Sequence, residues 1–306
     1  MSMFDPTHLP ALIAGAVVAL IGAPLSVFVV LKRLAFIGQG VSHAAFGGVG
    51  VALVLGVAGA TLASDLLQLG IVLAFSIGAA IVIAALGRSN KGRIDTAIGI
   101  VLSASMALGF VLFTISESRH DHDEHGHADA AHADEHHVIE EILFGNILDA
   151  GWTSMWATLA GALLIGAALW WHRHKIIFWC FDEPVCATYG VREQRTGNLL
   201  LVLLAVAVVL AMQVVGVILA AAVLVLPGAA ALHLSSRLRS VMGWAIAISV
   251  LGTLAGFMIG LETRWPVGPS IVLVHASAYL LALSTNTASA RLRSGEPRRH
   301  SHQETA

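Results

Sequence analysis

Eight mostly apolar stretches, each about twenty residues long, leave this chain few ways to fold. They lie near 9–31, 40–63, 66–87, 95–116, 152–171, 214–233, 241–261 and 267–285, with a shorter one at 197–212. As helices, the long ones each match the ~30 Å hydrocarbon core of a bilayer. Of the 306 residues 57% are hydrophobic and 12% charged, against about 25% charged in an ordinary soluble domain. That leaves too few polar side chains to cover a water-soluble globule, and two cysteines exclude a disulfide scaffold. The expected fold is an all-α polytopic membrane protein, a bundle of about eight to nine transmembrane helices. The first span follows MSMFDPTHLP, which carries no Lys or Arg, and is too long for the core of a cleaved signal peptide.

Charge placement gives sidedness. Lys32 and Arg33 follow the first span, and Arg88, Lys91 and Arg93 follow the third. Arg173, Lys175, Arg192, Arg195, Arg237, Arg239, Arg291, Arg293, Arg298 and Arg299 complete a set of 15 basic residues that one side can hold. Only Arg119 and Arg264 fall on the other. Positive charge collects in the cytoplasm, so the N-terminus is expected outside and the C-terminus inside. Residues 1–290 then read as one transmembrane domain and 291–306 as a flexible cytoplasmic tail.

The formal net charge of −2 conceals an asymmetry. Residues 117–141 carry nine of the 19 acidic residues and a single basic one. Elsewhere 16 basic residues outnumber 10 acidic ones.

The same bookkeeping marks 196–234 as unusual. Arg195 and Arg237 must share a side, so the chain between them crosses an even number of times. At 1.5 Å per residue that stretch is about 58 Å long as helix, short of two full crossings and a turn. Either one leg is short or the pair is tilted and partly re-entrant, with the turn expected near Met212–Gln213–Val214. Broken membrane helices survive only inside protein or along a cavity, which places 197–232 at the centre of the bundle. Two slightly short peripheral helices are the alternative.

Three segments carry chemistry. In the outward insert, His120, His122, His125, His127, His132, His136 and His137 alternate with carboxylates and show no apolar periodicity. Imidazole suits zinc, copper and nickel, whereas magnesium and manganese favour oxygen. The insert reads as a loose metal-collecting loop, with a merely solvated acidic loop as the alternative. Second, Gln39 and His43 are four residues apart near the start of a span, so both can face one object. Polar side chains at membrane depth turn toward the bundle interior or a cavity; on the spacing alone His43 is equally a ligand or an interhelical hydrogen-bonding residue. Third, Phe181–Gly190 lies between spans and is too short to cross. Asp182 can cap a short helix there, with Pro184 in its first turn and Gly190 at its end. Such a turn suits docking to a cytoplasmic partner, or is an ordinary connection.

Other polar residues read more plainly. Cys180 and Cys186 are expected as thiols on the reducing side. His233 and His275 are expected to hydrogen-bond in the core or line a pore, and Asp95 to cap a helix. There is no G-x-x-x-x-G-K-[ST] loop, so the chain hydrolyses no nucleotide by a P-loop. Neither an H-E-x-x-H helix nor His–Asp pairs one turn apart within spans occur.

Several segments together resemble the permease subunits of bacterial ABC importers for zinc, manganese and iron. They are Lys32-Arg33 through Gly38 to Ser42-His43, Asp95–Ile100, Leu143–Leu148, Phe181–Gly190, Val215–Leu219 with Leu226–Ala229, and Pro266–Pro269. They recur in family order from about residue 10 to 285. The resemblance implies a homodimer in the cytoplasmic (inner) membrane, surrounded by lipid, with a separate cytoplasmic ABC ATPase and an extracytoplasmic metal-binding protein. No nucleic acid, covalently bound cofactor or enzymatic activity of its own is implied.

By the same resemblance, Phe181, Asp182, Glu183, Ala187 and Gly190 belong to the ATPase-coupling segment. His43 lines the metal path together with the residue one turn before it. Family members have an acidic residue at that preceding position, where this chain has Gln39. Loss of a hard anionic ligand favours Zn²⁺ as the transported ion over Mn²⁺ or Fe²⁺. The expected function is ATP-driven uptake of a divalent transition metal, most simply zinc. A manganese or iron importer of the same architecture is the alternative; a secondary zinc transporter or a membrane metal sensor is a more distant one.

Overall fold

The computed structural model describes residues 8–57, 62–89, 94–120, 151–182, 185–186 and 188–294. Among them the chain forms nine helices in order: α1 Leu9–Leu31, α2 Ala35–Val54, α3 Leu62–Ser89, α4 Ile94–His120, α5 Trp152–Phe181, α6 Glu193–Val223, α7 Leu226–Leu234, α8 Leu238–Thr263 and α9 Val267–Ser294. Eight segments are long and apolar enough to span a membrane, and Leu219–Leu234 is a shorter apolar helix. The fold class expected from the sequence is therefore the one observed: a helical, multi-pass membrane protein.

The boundaries differ in instructive ways. The second span begins at Ala35, not at 40, and ends at Val54, not at 63. Arg33, at φ 57°, turns the chain out of α1, so the new helix starts almost at once. Gly56, at φ 67°, lies just beyond its far end. The fifth span runs ten residues past 171, because Trp170–Phe181 keeps helical continuity with no Gly or Pro to stop it. The tail expected from 291 is still helical through Ser294.

The 196–234 hairpin is present, with its legs exchanged in length. Gly197 packs on Trp179 and Gly161 on Leu210, so the first leg of α6 runs antiparallel to α5. Further on, Gly22 faces Val223 and Leu224 while Gly228 sits against Ser26, so the second leg runs parallel to α1. Helix α5 in turn lies against α1. The reversal falls at Gly216, where φ 79° and ψ 169° interrupt α6. That is two to four residues later than expected. The first leg, Glu193–Gly216, is a full crossing because Glu193–Thr196 extend it beyond the apolar run. The short, broken leg is the second, interrupted again at Val225 before Pro227.

Central placement of this hairpin is borne out. The Glu193–Gly216 span is 72% buried, against 22% for the spans in α4 and α5. Leu200, Leu204, Val208 and Ala211 are fully enclosed. A Gly216 backbone out of helical register would leave peptide groups unpaired in lipid, and burial in the bundle avoids that cost.

Helices approach closely where side chains vanish. Along α2, Gly40 meets Ile98, Gly48 meets Val72, and Gly50 meets the Gly109 carbonyl, which locks α2 between α3 and α4. Small residues drive association in lipid because they let backbones and side chains reach contact distance. Ser249 adds a directional tie, its hydroxyl donating to the Ala19 carbonyl at 2.8 Å between α8 and α1.

Gly228 provides a test of this packing. A Cβ there would lie 2.5 Å from the Ser26 carbonyl carbon, a backbone atom that cannot swing aside. Gly228→Val is expected to destabilise the bundle by about 1–3 kcal/mol, read as a lower melting temperature in detergent. Gly166→Ala, with nothing within 4 Å, should leave it unchanged.

Candidate functional site

Gln39 and His43 lie on α2, about 6 and 12 Å along the helix axis from its first residue. Gln39 is exposed and His43 half-buried. The helix register that points them outward directs Gly40, Val41 and Ala44 into the bundle. The His43 Nδ1 is shielded from solvent and has no hydrogen-bond partner. Beside it, the buried Ser42 hydroxyl satisfies itself by donating to the Gly38 carbonyl at 2.9 Å. An imidazole nitrogen held dry and unpaired is costly, and a cation or a donor from outside the chain would satisfy it. Among the described residues no group of three or more His, Cys, Asp or Glu could hold a metal ion. Gln39 and His43 alone do not make up such a group.

Exposure of Gln39 carries a second consequence. An amide facing lipid at membrane depth is unfavourable, so this face of α2 calls for a polar cover from another molecule.

Phe181–Gly190 closes one end of the molecule. Asp182 is the residue at which α5 ends, and its backbone carbonyl accepts from the Val185 amide at 3.2 Å, an i to i+3 bond that opens the next turn, and from the Cys186 thiol at 3.3 Å. A single turn follows. The Thr188 hydroxyl donates to the Val185 carbonyl at 2.7 Å, and the Val191 amide returns to the Cys186 carbonyl at 3.0 Å. Gly190 ends the turn as expected, at φ 72°, a conformation that favours glycine. Phe181 and Tyr189 are exposed, with Tyr189 also edge-on to Phe178 at 5.4 Å. Glu183, Pro184 and Ala187 lie outside the described residues.

Spacing could not reveal how this end is joined to α2. Trp179, two residues before Phe181, lies under the Lys32 ammonium, 4.0 Å from the ring centroid. Lys32 caps α1 in the short turn that leads into α2. Nearby, Arg88 at the end of α3 donates to the Asn198 side-chain oxygen at 3.0 Å. The basic ends of α1, α3, α5 and α6 thus form one assembly, as the charge bookkeeping required. The one available signal was a Trp flanked by basic residues, and its partner was 147 positions away.

The remaining candidates separate. His275 is fully buried, its Nδ1 2.9 Å from the Ile271 carbonyl and its Nε2 3.2 Å from the Ser249 carbonyl, so it is a core hydrogen-bonding residue. His233 packs edge-on to Tyr279. Asp95 is the second residue of α4, in its first turn and not at the cap position expected for it. Helix α4 extends to His120; His122, His125, His127, His132, His136 and His137 lie outside the described residues, as does Leu143–Leu148.

Comparison with known proteins adds to this geometry. The ABC 3 transport family matches residues 5–286. The chain is 30% identical over 272 residues to the manganese transport system membrane protein MntC of Halalkalibacterium halodurans, covering 89% of this chain and 85% of that one. It is 27% identical over 274 residues to the high-affinity zinc uptake system membrane protein ZnuB of Haemophilus influenzae, covering 90% and 95%. Among solved structures, PsaBC from Streptococcus pneumoniae in complex with Fab matches with a TM-score of 0.74 and 28% identity, over 92% of both chains.

The turn makes a local prediction. Gly190→Val, forced into a positive φ, should loosen the Val191–Cys186 closure and raise the rate of tryptic cleavage after Arg192. Gly190→Asn, which tolerates that conformation, should retain near-native resistance.

Proposed function

The chain belongs to the ABC 3 transport family, and on that premise we propose that it is the permease of an ATP-driven importer whose cargo is Zn²⁺. One observation carries this reading: Gln39 and His43 sit one turn apart on a lipid-depth face of α2, with the His43 Nδ1 shielded and unpartnered. Two copies of the chain, facing each other across this surface, would cover the exposed amides and bring two imidazoles and two amide oxygens toward one ion. The neutral donor set lacks the carboxylate that manganese or magnesium would favour, while imidazole suits zinc. Relatives named for manganese, iron and zinc transport occur at similar identity, so the preference for zinc rests on Gln39.

The permease performs no covalent step. A cytoplasmic ATPase engages the Phe181–Gly190 turn, and closure of that ATPase pulls on the end of α5. The Trp179–Lys32 contact carries the displacement into the turn between α1 and α2, and so to Gln39 and His43. The space between the two copies then opens to the other side, because ATP-bound and ATP-free partners bind the two conformations with different affinity. An extracytoplasmic binding protein supplies the metal, and the histidine-rich insert raises its local concentration there.

In proteoliposomes containing the permease and its ATPase, His43→Ala is expected to lower zinc uptake by about tenfold or more while ATP hydrolysis and assembly persist. Undiminished uptake would remove His43 from the path. Gln39→Glu should shift the ratio of manganese to zinc uptake upward; a ratio equal to that of the unaltered protein would contradict the selectivity assigned to the amide. Deleting residues 120–137 should slow uptake at scarce zinc and spare it at high zinc, and equal rates at every concentration would refute the loop's collecting role.

A further inference from the structure

Helix α5 measures the bilayer. Trp152 and Trp156 are exposed at one end of its apolar run and Trp170 and Trp171 at the other, the last two at 72% and 83%. Counting along the axis, the two pairs are about 21–28 Å apart, the spacing of the two aromatic belts at membrane–water interfaces. Arg173 lies over the Trp170 ring, 4.0 Å from its centroid, and so holds a cation at the same level. Residues within one turn beyond Trp171 are consequently at headgroup depth.

At that depth α5 and the start of α6 enclose a cavity of about 480 Å³. His172, Lys175, Arg192 and Arg195 line it, with Gly190 and Thr196 completing the polar part of the wall. Lys175, Arg192 and Arg195 are exposed, and among the described residues no hydrogen bond or ion pair engages their side chains. Arg192 immediately precedes the first residue of α6, whose unpaired amides also favour negative charge. Three exposed cations converging on one concavity at headgroup level make a good site for phosphate.

We infer that this cavity, between the inner end of α5 and the start of α6, binds the phosphate headgroup of an anionic phospholipid, with Lys175, Arg192 and Arg195 as the phosphate contacts. Arginine suits this role through its planar fork of donors, and basic pockets between helices on the cytoplasmic side are the sites where such headgroups collect. The aromatic pair just above, Trp170 and Trp171, places the glycerol and acyl portion along the lipid-facing surface of α5. The bound headgroup also borders Gly190, so the lipid braces the chain as it leaves the turn and enters α6. Because it depends only on charge, depth and cavity shape, the inference stands apart from the choice of transported metal.

Native mass spectrometry of the purified full-length chain, with phosphatidylglycerol or phosphatidylcholine added to neutral detergent, tests it. The unaltered protein should retain phosphatidylglycerol in preference to phosphatidylcholine. The triple variant Lys175→Gln, Arg192→Gln, Arg195→Gln should lose that retention by about tenfold or more, whereas Arg192→Lys with Arg195→Lys should keep most of it. If the triple variant is not monodisperse, Arg195→Gln alone, at an exposed position, should show a partial loss. Equal retention of both lipids by the unaltered protein, or undiminished phosphatidylglycerol on the glutamine variants, would overturn the proposal. So would displacement of the lipid by millimolar inorganic phosphate, which would identify a free-anion site. Loss of a co-purifying protein partner with lipid retention intact would assign the surface to that partner instead, and would equally overturn it.

Discussion

Hydrocarbon offers no partner for a peptide N–H or C=O, and every other feature of this molecule follows from meeting that constraint. It forces the chain into long helices, and it dictates where the helices can be interrupted. The interruption at Gly216 is tolerated because α6 is the most buried of the candidate spans. The shorter leg beyond it is held against α1 by the contact of Gly228 with the Ser26 backbone. The same constraint explains why the glycines of α2 matter. With no hydrophobic force between helices in lipid, close approach is what binds α2 to α3 and α4 and fixes which residues it leaves facing outward.

Those outward residues are where the account of function begins. A helix face bearing Gln39 and His43 cannot rest comfortably against acyl chains, and the shielded Nδ1 of His43 has nothing within its own chain to bind. The proposed arrangement, a second copy and a shared cation, would resolve both deficits. At the opposite level of organisation, the basic end of the bundle gathers the ends of α1, α3, α5 and α6. The Trp179–Lys32 contact spans the gap between the α5 terminus and the entry to α2. Force applied to Phe181–Gly190 therefore has a short physical route to α2.

Much of this was legible in the sequence. Apolar run length located the spans, and the placement of 15 basic residues required Arg195 and Arg237 to share a side, which made 196–234 a hairpin. What the run lengths missed was the contribution of polar residues to helices. Glu193–Thr196 are helical although charged or polar, so the first leg is long and the second short, the reverse of the expected assignment. Likewise His172–Phe181 continues α5 beyond the bilayer, because a helix stops at a chain-reversing residue and not at the membrane surface. Contacts between residues far apart in sequence, Lys32 with Trp179 and Arg88 with Asn198, had no local signature.

The central claim is that two copies of this chain pass zinc inward at the expense of ATP. Uptake of isotopically labelled zinc and manganese into vesicles reconstituted with the permease and its ATPase tests it most directly. The account predicts accumulation that requires ATP and favours zinc over manganese. Accumulation without ATP, or a preference for manganese in the unaltered protein, would contradict it.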